Sequence, residues 1–185
     1  MIFFYKIVSK VSSINNKLKI LFLRLDPKIK IGKSVIIESG VVIRSQYGGS
    51  ITIGDFCYLS RGVQILTHGG DIKIGNNSTI NPYTVIYGQG GTSIGDFVRI
   101  AAHCTIVPSN HIIEDKDKPI YLQGLSKKGI IIENDVWIGT GVRVLDGVTI
   151  KTGCVIGAGS VLTKSTVSLS VYVGVPAKKI KNRGN

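Results

Sequence analysis

The chain has 185 residues, enough for one sizeable core, and its 23 Lys and Arg against 11 Asp and Glu give a formal charge of +12. Charged residues are only 18% of the total, which excludes a disordered polyelectrolyte, and no apolar run approaches the 18 or so residues of a membrane-spanning helix. With 29 Ile and 19 Val against 4 Ala, and 23 Gly to make turns, the chain is expected to be all-β. The N-terminus lacks the basic stretch, apolar stretch and small-residue cleavage site of a secretory signal. Three cysteines, an odd number, suggest no disulfide framework, so the cytoplasm is the expected compartment.

The first predicted element, within residues 1–26, is an amphipathic helix. Phe4, Ile7, Val8, Val11, Ile14, Leu18, Leu21, Phe22 and Leu25 recur at helical spacing with Lys6, Lys10, Lys17 and Lys19 mostly between them, and the pattern ends near Asp26-Pro27. Such a helix could cap the open first turn of whatever follows, or rest peripherally on an anionic membrane at the inner face, since residues 1–25 carry five basic side chains and no acid.

Residues 27–165 obey a different ruler. Marking the aliphatic residue before each Gly-Asp or Gly-Asn pair and stepping by six gives Ile31, Ile37, Ile43; Ile53, Leu59, Ile65; Ile74, Ile80, Ile86; Ile94, Ile100, Ile106; Ile132, Ile138, Val144; Ile150, Ile156, Leu162. A period of six fits neither a helix nor a hairpin series; it is the hexapeptide repeat of a parallel β-helix. The extra residues, four after Ile43, three after Ile65, two after Ile86 and twenty after Ile106, all follow a third hexapeptide. Three hexapeptides therefore make one three-sided coil, about six coils stack in register, and every insertion leaves from the same corner. The longest, residues 107–131, is the expected active-site loop.

Two positions before each mark runs a second inward column, including Val35, Val41, Ile51, Val63, Ile72, Val98, Val136, Val142 and Val148. Cys57, Cys104 and Cys154 all fall in it, as small core residues rather than nucleophiles or disulfide partners. His68 sits in a small insertion and His103 at a coil corner, both explicable as polar turn residues. His111 opens the long loop, with Glu114, Asp115 and Asp117 close behind, acids suited to orienting it. Residues 166–185 read as a basic tail containing Lys178, Lys179, Lys181 and Arg183.

Several motifs together carry a resemblance. The repeat array, Ser109-Asn110-His111, Ile132-Glu133-Asn134-Asp135-Val136-Trp137-Ile138-Gly139, Gly157-Ala158-Gly159-Ser160-Val161-Leu162-Thr163-Lys164 and Gly174-Val175-Pro176-Ala177-Lys178 resemble the bacterial hexapeptide-repeat acetyltransferases. The similarity covers about residues 29–183 and is greatest to the galactoside, maltose and surface-polysaccharide O-acetyltransferases. It implies a left-handed β-helix, a homotrimer with sites between subunits, and acetyl-CoA as donor. By position, His111 matches the family's catalytic histidine and Asn81 an asparagine that contacts the acceptor; Thr140, Ala158, Thr163, Lys164 and Lys181 match donor-binding positions. Trp137 and Asp115 are further acceptor-side candidates. No metal is expected, because zinc carbonic anhydrases of the same fold use three histidines, two of them five residues apart, whereas His103 and His111 are eight apart.

The expected activity is O-acetylation of a sugar hydroxyl in lipopolysaccharide, capsule or another surface glycan. His111 takes the acceptor proton and backbone amides hold the oxyanion, without an acyl-enzyme. The alternatives are N-acetylation of a nucleotide-linked amino sugar, O-acetylation of a xenobiotic, and a non-catalytic scaffold. Nucleic acid is not an expected partner, since the repeat offers no reading motif.

Overall fold

The computed structural model describes residues 16–184, so the predicted helix lies outside the described residues up to residue 15. Its remainder is helix α1 (16–23), which gives way to a turn at 24–25, slightly before the expected end. Ile20 and Leu23 pack against the core. The Asn16 side chain donates to Val35 O and accepts from Ile37 N, while Lys19 Nζ donates to Glu38 O and Arg24 Nη2 to Ile31 O. The helix thus closes the first coil.

Beyond it the chain winds a three-faced parallel solenoid. Face one stacks Ile29–Ile31, Ile51–Ile53, Ile72–Ile74, Thr92–Ile94, Ile130–Ile132 and Thr149–Ile150. Face two starts at Ile36–Ile37 and climbs through Trp137–Ile138 and Val155–Ile156; face three runs from Val42–Arg44 to Val161–Leu162. The ladder registers pair Ile31 with Ile53, Ile37 with Leu59 and Ile43 with Ile65, so the six-residue ruler is the stacking register itself. All eighteen marked residues are buried, as are the named members of the second column.

Corner one, between faces one and two, shows why Gly is followed by Asp or Asn. Asp55 Oδ1 accepts from Lys33 N at 2.7 Å, Asn76 Oδ1 from Asp55 N at 2.8 Å, Asp96 Oδ1 from Asn76 N at 2.6 Å and Asn134 Oδ1 from Asp96 N at 2.8 Å. Each side chain occupies the space that a Cβ on the preceding coil's glycine would need: at Gly54 it would meet Asn76 Oδ1 at 2.6 Å, and at Gly75 Asp96 Oδ1 at 2.5 Å. The last interval uses another device. Glu133 Oε1 pairs with Lys151 Nζ at 2.8 Å and Oε2 accepts from Thr152 N and Oγ1 at 2.9 Å. These bonds, that to Lys151 first, pull the Glu133 pKa down to about 2.

The cysteines do more than fill space. Cys57, Cys104 and Cys154 are buried, and their thiols donate to Gly75 O, Gly139 O and Val167 O at 2.9, 3.1 and 3.0 Å. Ser78 and Thr84 occupy the same column and donate in the same way to Gly95 O and Ala101 O. Burial pushes the Cys57 and Cys104 thiols above the ordinary range, away from the reactive thiolate.

The segment expected as a basic tail is folded. Ser170–Gly174 adds a rung to face two, with Tyr172 in register with Ile156, and Ala177–Asn182 returns antiparallel along it. Lys178 and Lys179 stand on this last edge, where charge discourages further pairing. Arg183 is committed to corner one, its Nη1 bonding Asp135 Oδ2 at 2.7 Å.

Candidate active site

Most of the residues singled out by sequence fall into two groups on different corners. Corner two, between faces two and three, holds Asn81-Pro82-Tyr83, Ala101-Ala102-His103, Gly139-Thr140-Gly141 and Gly157-Ala158-Gly159 on successive coils. Hydrogen bonds from His103 N to Pro82 O, Gly141 N to Ala102 O and Gly159 N to Thr140 O stitch these turns together. Thr140 and Ala158 therefore stand one above the other, both exposed. A Cβ on Gly139 would lie 2.7 Å from Ala158 N, so the coils approach too closely there for any side chain. At Gly141 and Gly159 a Cβ would meet nothing within 4 Å. The top of corner two is thus an open strip of backbone and small residues.

One coil lower the corner changes character. Tyr83 and His103 both adopt the left-handed backbone region, at φ 59°, and stack with ring centroids 5.3 Å apart and an interplanar angle of 16°. Asn81 lies beside them, with Nδ2 donating to Ile100 O at 2.8 Å. This aromatic pair was not singled out as a site by sequence; its only signal was that large rings replace the glycines found elsewhere in the column.

Corner three carries the loop. Asn110–His111 pairs antiparallel with Leu125–Ser126, placing His111 opposite Leu125 at the base of an exposed hairpin. The tip holds itself together: Gln123 Nε2 donates to Asp115 O and Lys118 O, both at 2.7 Å, Asp115 Oδ1 accepts from Asp117 N, and Glu114 Oε2 from Ile113 N. Glu114 and Asp115, expected to orient His111, thus spend their hydrogen bonds on loop backbone among the described residues. What sequence reading missed is Asp146. Its Oδ2 accepts from Ser126 Oγ and its Oδ1 from Lys128 N and Gly129 N, all at 2.9 Å, lashing the loop's return to the next coil. The Asp146-Gly147 turn pair was the available clue.

Thr163 and Lys164 follow Leu162 and so share corner three with the loop root, roughly two layers, or about 10 Å, higher. Trp137 follows the loop's return in sequence but stands on another face. It projects from face two, 56% exposed, between Arg99 and Val155, whereas the return strand Ile130–Ile132 belongs to face one. Lys181 lies on the final edge strand opposite Val171, also on face two. The three histidines stand at corner three, corner two and the loop, and no three His, Cys, Asp or Glu come together in a metal-sized group among the described residues. A cleft of about 320 Å³ beside the loop root is bordered by Lys73, Ser93, Lys128 and Ile131 of face one and its approaches.

Known proteins resemble the chain over most of its length. The family model described as bacterial transferase hexapeptide (six repeats) matches residues 129–164. A Mycobacterium tuberculosis protein named for acetyl transfer is 33% identical over 159 residues, 85% of this chain and 53% of its own, so the chain spans about half of that relative. WbbJ of Escherichia coli, named as an O-acetyl transferase of lipopolysaccharide biosynthesis, is 32% identical over 141 residues, 72% of each chain. Among solved structures, AntD of Bacillus cereus, an N-acyltransferase in complex with dTDP and 3-hydroxybutyryl-CoA, is similar at a TM-score of 0.73 and 27% identity, over 83% of this chain and 82% of that one.

Proposed function

Because the chain belongs to the bacterial hexapeptide-repeat acyltransferases, we propose that it is an acetyl-CoA-dependent O-acetyltransferase of a surface-glycan sugar, working as a homotrimer with His111 as general base. The observation that carries this reading is the strip of small residues along corner two. Thr140 and Ala158 are exposed, and at Gly141 and Gly159 no side chain bars the approach of a long, thin ligand such as pantetheine.

Corner two and corner three are separated by the whole of face three, so His111 of one chain does not share a corner with Thr140 and Ala158 of the same chain. In a trimer with sites between subunits, corner three of one protomer meets corner two of its neighbour. That arrangement brings His111, Thr163 and Lys164 to Asn81, Thr140 and Ala158. Acetyl-CoA supplies an activated acetyl thioester. The unprotonated His111 ring takes the proton from the acceptor hydroxyl as the new C–O bond forms and the C–S bond breaks, and returns it to the leaving thiolate. Hydrogen-bond donors at the junction of the two corners stabilise the developing oxyanion. The raised thiols and buried positions of Cys57 and Cys104 argue for this direct route over a cysteine acyl-enzyme.

Likeness to AntD favours a second reading, N-acyl transfer to a nucleotide-linked amino sugar. One assay separates the two: thiol released from acetyl-CoA by wild type and His111→Ala over deacetylated surface glycans, simple glycosides and nucleotide-linked amino sugars. The first reading expects release with hydroxyl acceptors and loss of at least about a hundredfold in the variant. Release only with the amino sugars selects the second reading, and wild-type turnover by His111→Ala removes the histidine from either.

A further inference from the structure

Helix α1 is apolar on two sides, and closing the first coil uses only one. Ile20 and Leu23 face the core, while Leu18, Leu21, Phe22 and the following Leu25 are 49%, 60%, 68% and 72% exposed. In sequence this second ridge continues the spacing of Val11 and Ile14. A surface stripe of large apolar side chains on a basic protein calls for a partner.

The charge around the ridge selects the partner. Among the described residues, 16–50 hold seven Lys and Arg against Asp26 and Glu38, a formal +5 out of the chain's +12. Both acids are engaged: Asp26 accepts from Ser45 Oγ and Lys28 N, and Glu38 from Tyr58 OH at 2.5 Å and Arg61 N at 2.7 Å. Between α1 and the first coil opens a cleft of about 490 Å³, lined by Lys17, Arg24 and Lys33 together with Ile20 and Leu21, and by no acidic residue. A second copy of the chain would bring +5 against +5. A bilayer with anionic headgroups offers both an apolar phase for the ridge and phosphates for the cleft.

We infer that the α1 end of the solenoid is an anionic-lipid docking surface. Phe22, Leu21 and Leu25 enter the interface, and Lys17, Arg24 and Lys33 meet lipid phosphate. The surface is independent of the acyl-transfer reading, and its test requires no acceptor. The full chain is floated with vesicles of about three parts phosphatidylcholine to one part phosphatidylglycerol, and with phosphatidylcholine alone. Binding should require the anionic lipid, weaken between roughly 0.1 and 0.5 M salt, and fall by more than about tenfold in Leu21→Ser/Phe22→Ser and in Lys17→Glu/Lys33→Glu. These side chains line the surface or its cleft, so circular dichroism of the variants should match wild type.

An environment-sensitive fluorophore on Phe22→Cys should shift to the blue on anionic vesicles, whereas one on Tyr121→Cys, in the exposed loop, should not; the native cysteines are buried from the label. Absence of binding, equal binding to phosphatidylcholine alone, or retention by both double variants overturns the inference. A fall in mass by light scattering in Leu21→Ser/Phe22→Ser, with vesicle binding unchanged, overturns it in favour of a second copy as the occupant.

Discussion

Corners one and three of the same coils are built by opposite means. At corner one a glycine on each of four successive coils makes room for the carboxylate or amide of the coil above, and the side chain that fills the space bonds backbone already in the stack. No freedom remains, and no insertion occurs there. At corner three every coil from the first to the fourth adds residues, and the largest addition hangs in solvent, self-bonded through Gln123 and tied down by Asp146 alone among the side chains of the coil above. The first corner fixes the spacing of the coils; the third is released from that duty and can carry chemistry.

The contrast breaks most sharply at Gly75. Gly75→Ala forces a Cβ against Asp96 Oδ1 and the Gly95 backbone, and should destabilise the chain by about 3 kcal/mol in chemical denaturation. Gly124→Ala in the loop meets nothing within 4 Å and bears only the strain of φ 87°, about 1 kcal/mol. If both cost the same, close packing is not what distinguishes the corners.

Next in size is His111→Ala. About a hundredfold loss of turnover is a rise of roughly 2.7 kcal/mol in the barrier, with a melting temperature equal to wild type because the ring is exposed. A drop in melting temperature would make His111 part of the scaffold.

Asp146→Ala removes three hydrogen bonds to the loop's return and should cost about 1–2 kcal/mol. Faster hydrogen exchange confined to residues 124–130 and lower turnover with unchanged acetyl-CoA affinity would sharpen the picture of a tethered loop. Slower turnover without local loosening would assign Asp146 some other role.

The smallest effect belongs to Glu133. Its folded pKa of about 2 lies below the ordinary 4.5, so the folded chain binds fewer protons than the unfolded chain in that interval. Its stabilisation is complete above about pH 4.5 and is lost as the pH falls towards 2. Glu133→Gln should flatten this acid limb and cost less than about 1 kcal/mol at neutral pH, the pair being partly exposed. An unchanged acid limb would show that the ladder at the last interval does without the carboxylate.

Much of this architecture was legible because a parallel coil turns sequence spacing directly into spatial register. The marks from Ile31 to Leu162 gave the faces, the core and the corner from which insertions leave. The same count places His111 and Thr140 on different corners, a separation available before any coordinate.

Other features depend on contacts that periodicity does not encode. Tyr172 continues face two where the six-residue step from Leu162 lands on exposed Ser168, so the seventh rung was hidden in what looked like tail. The hydrogen bonds of Cys57, Cys104 and Cys154 reach turn carbonyls far along the chain, and a column of Val with occasional Cys gives no sign of them.

The long loop also bears on how the chain acquires its stack. Where it is absent, a face-one residue waits about 20 positions for its partner on the next coil, as Ile74 does for Ile94; across the loop, Ile94 pairs with Ile132, 38 positions on. In a solenoid that zips by nearest neighbours, this joint is the longest closure, yet doubling a flexible span adds only about 0.6 kcal/mol of entropy. Folding should therefore pass the fourth coil with a slight pause, leaving the segment between Ile106 and Ile130 free to vary in length and composition while the coils on either side keep their register.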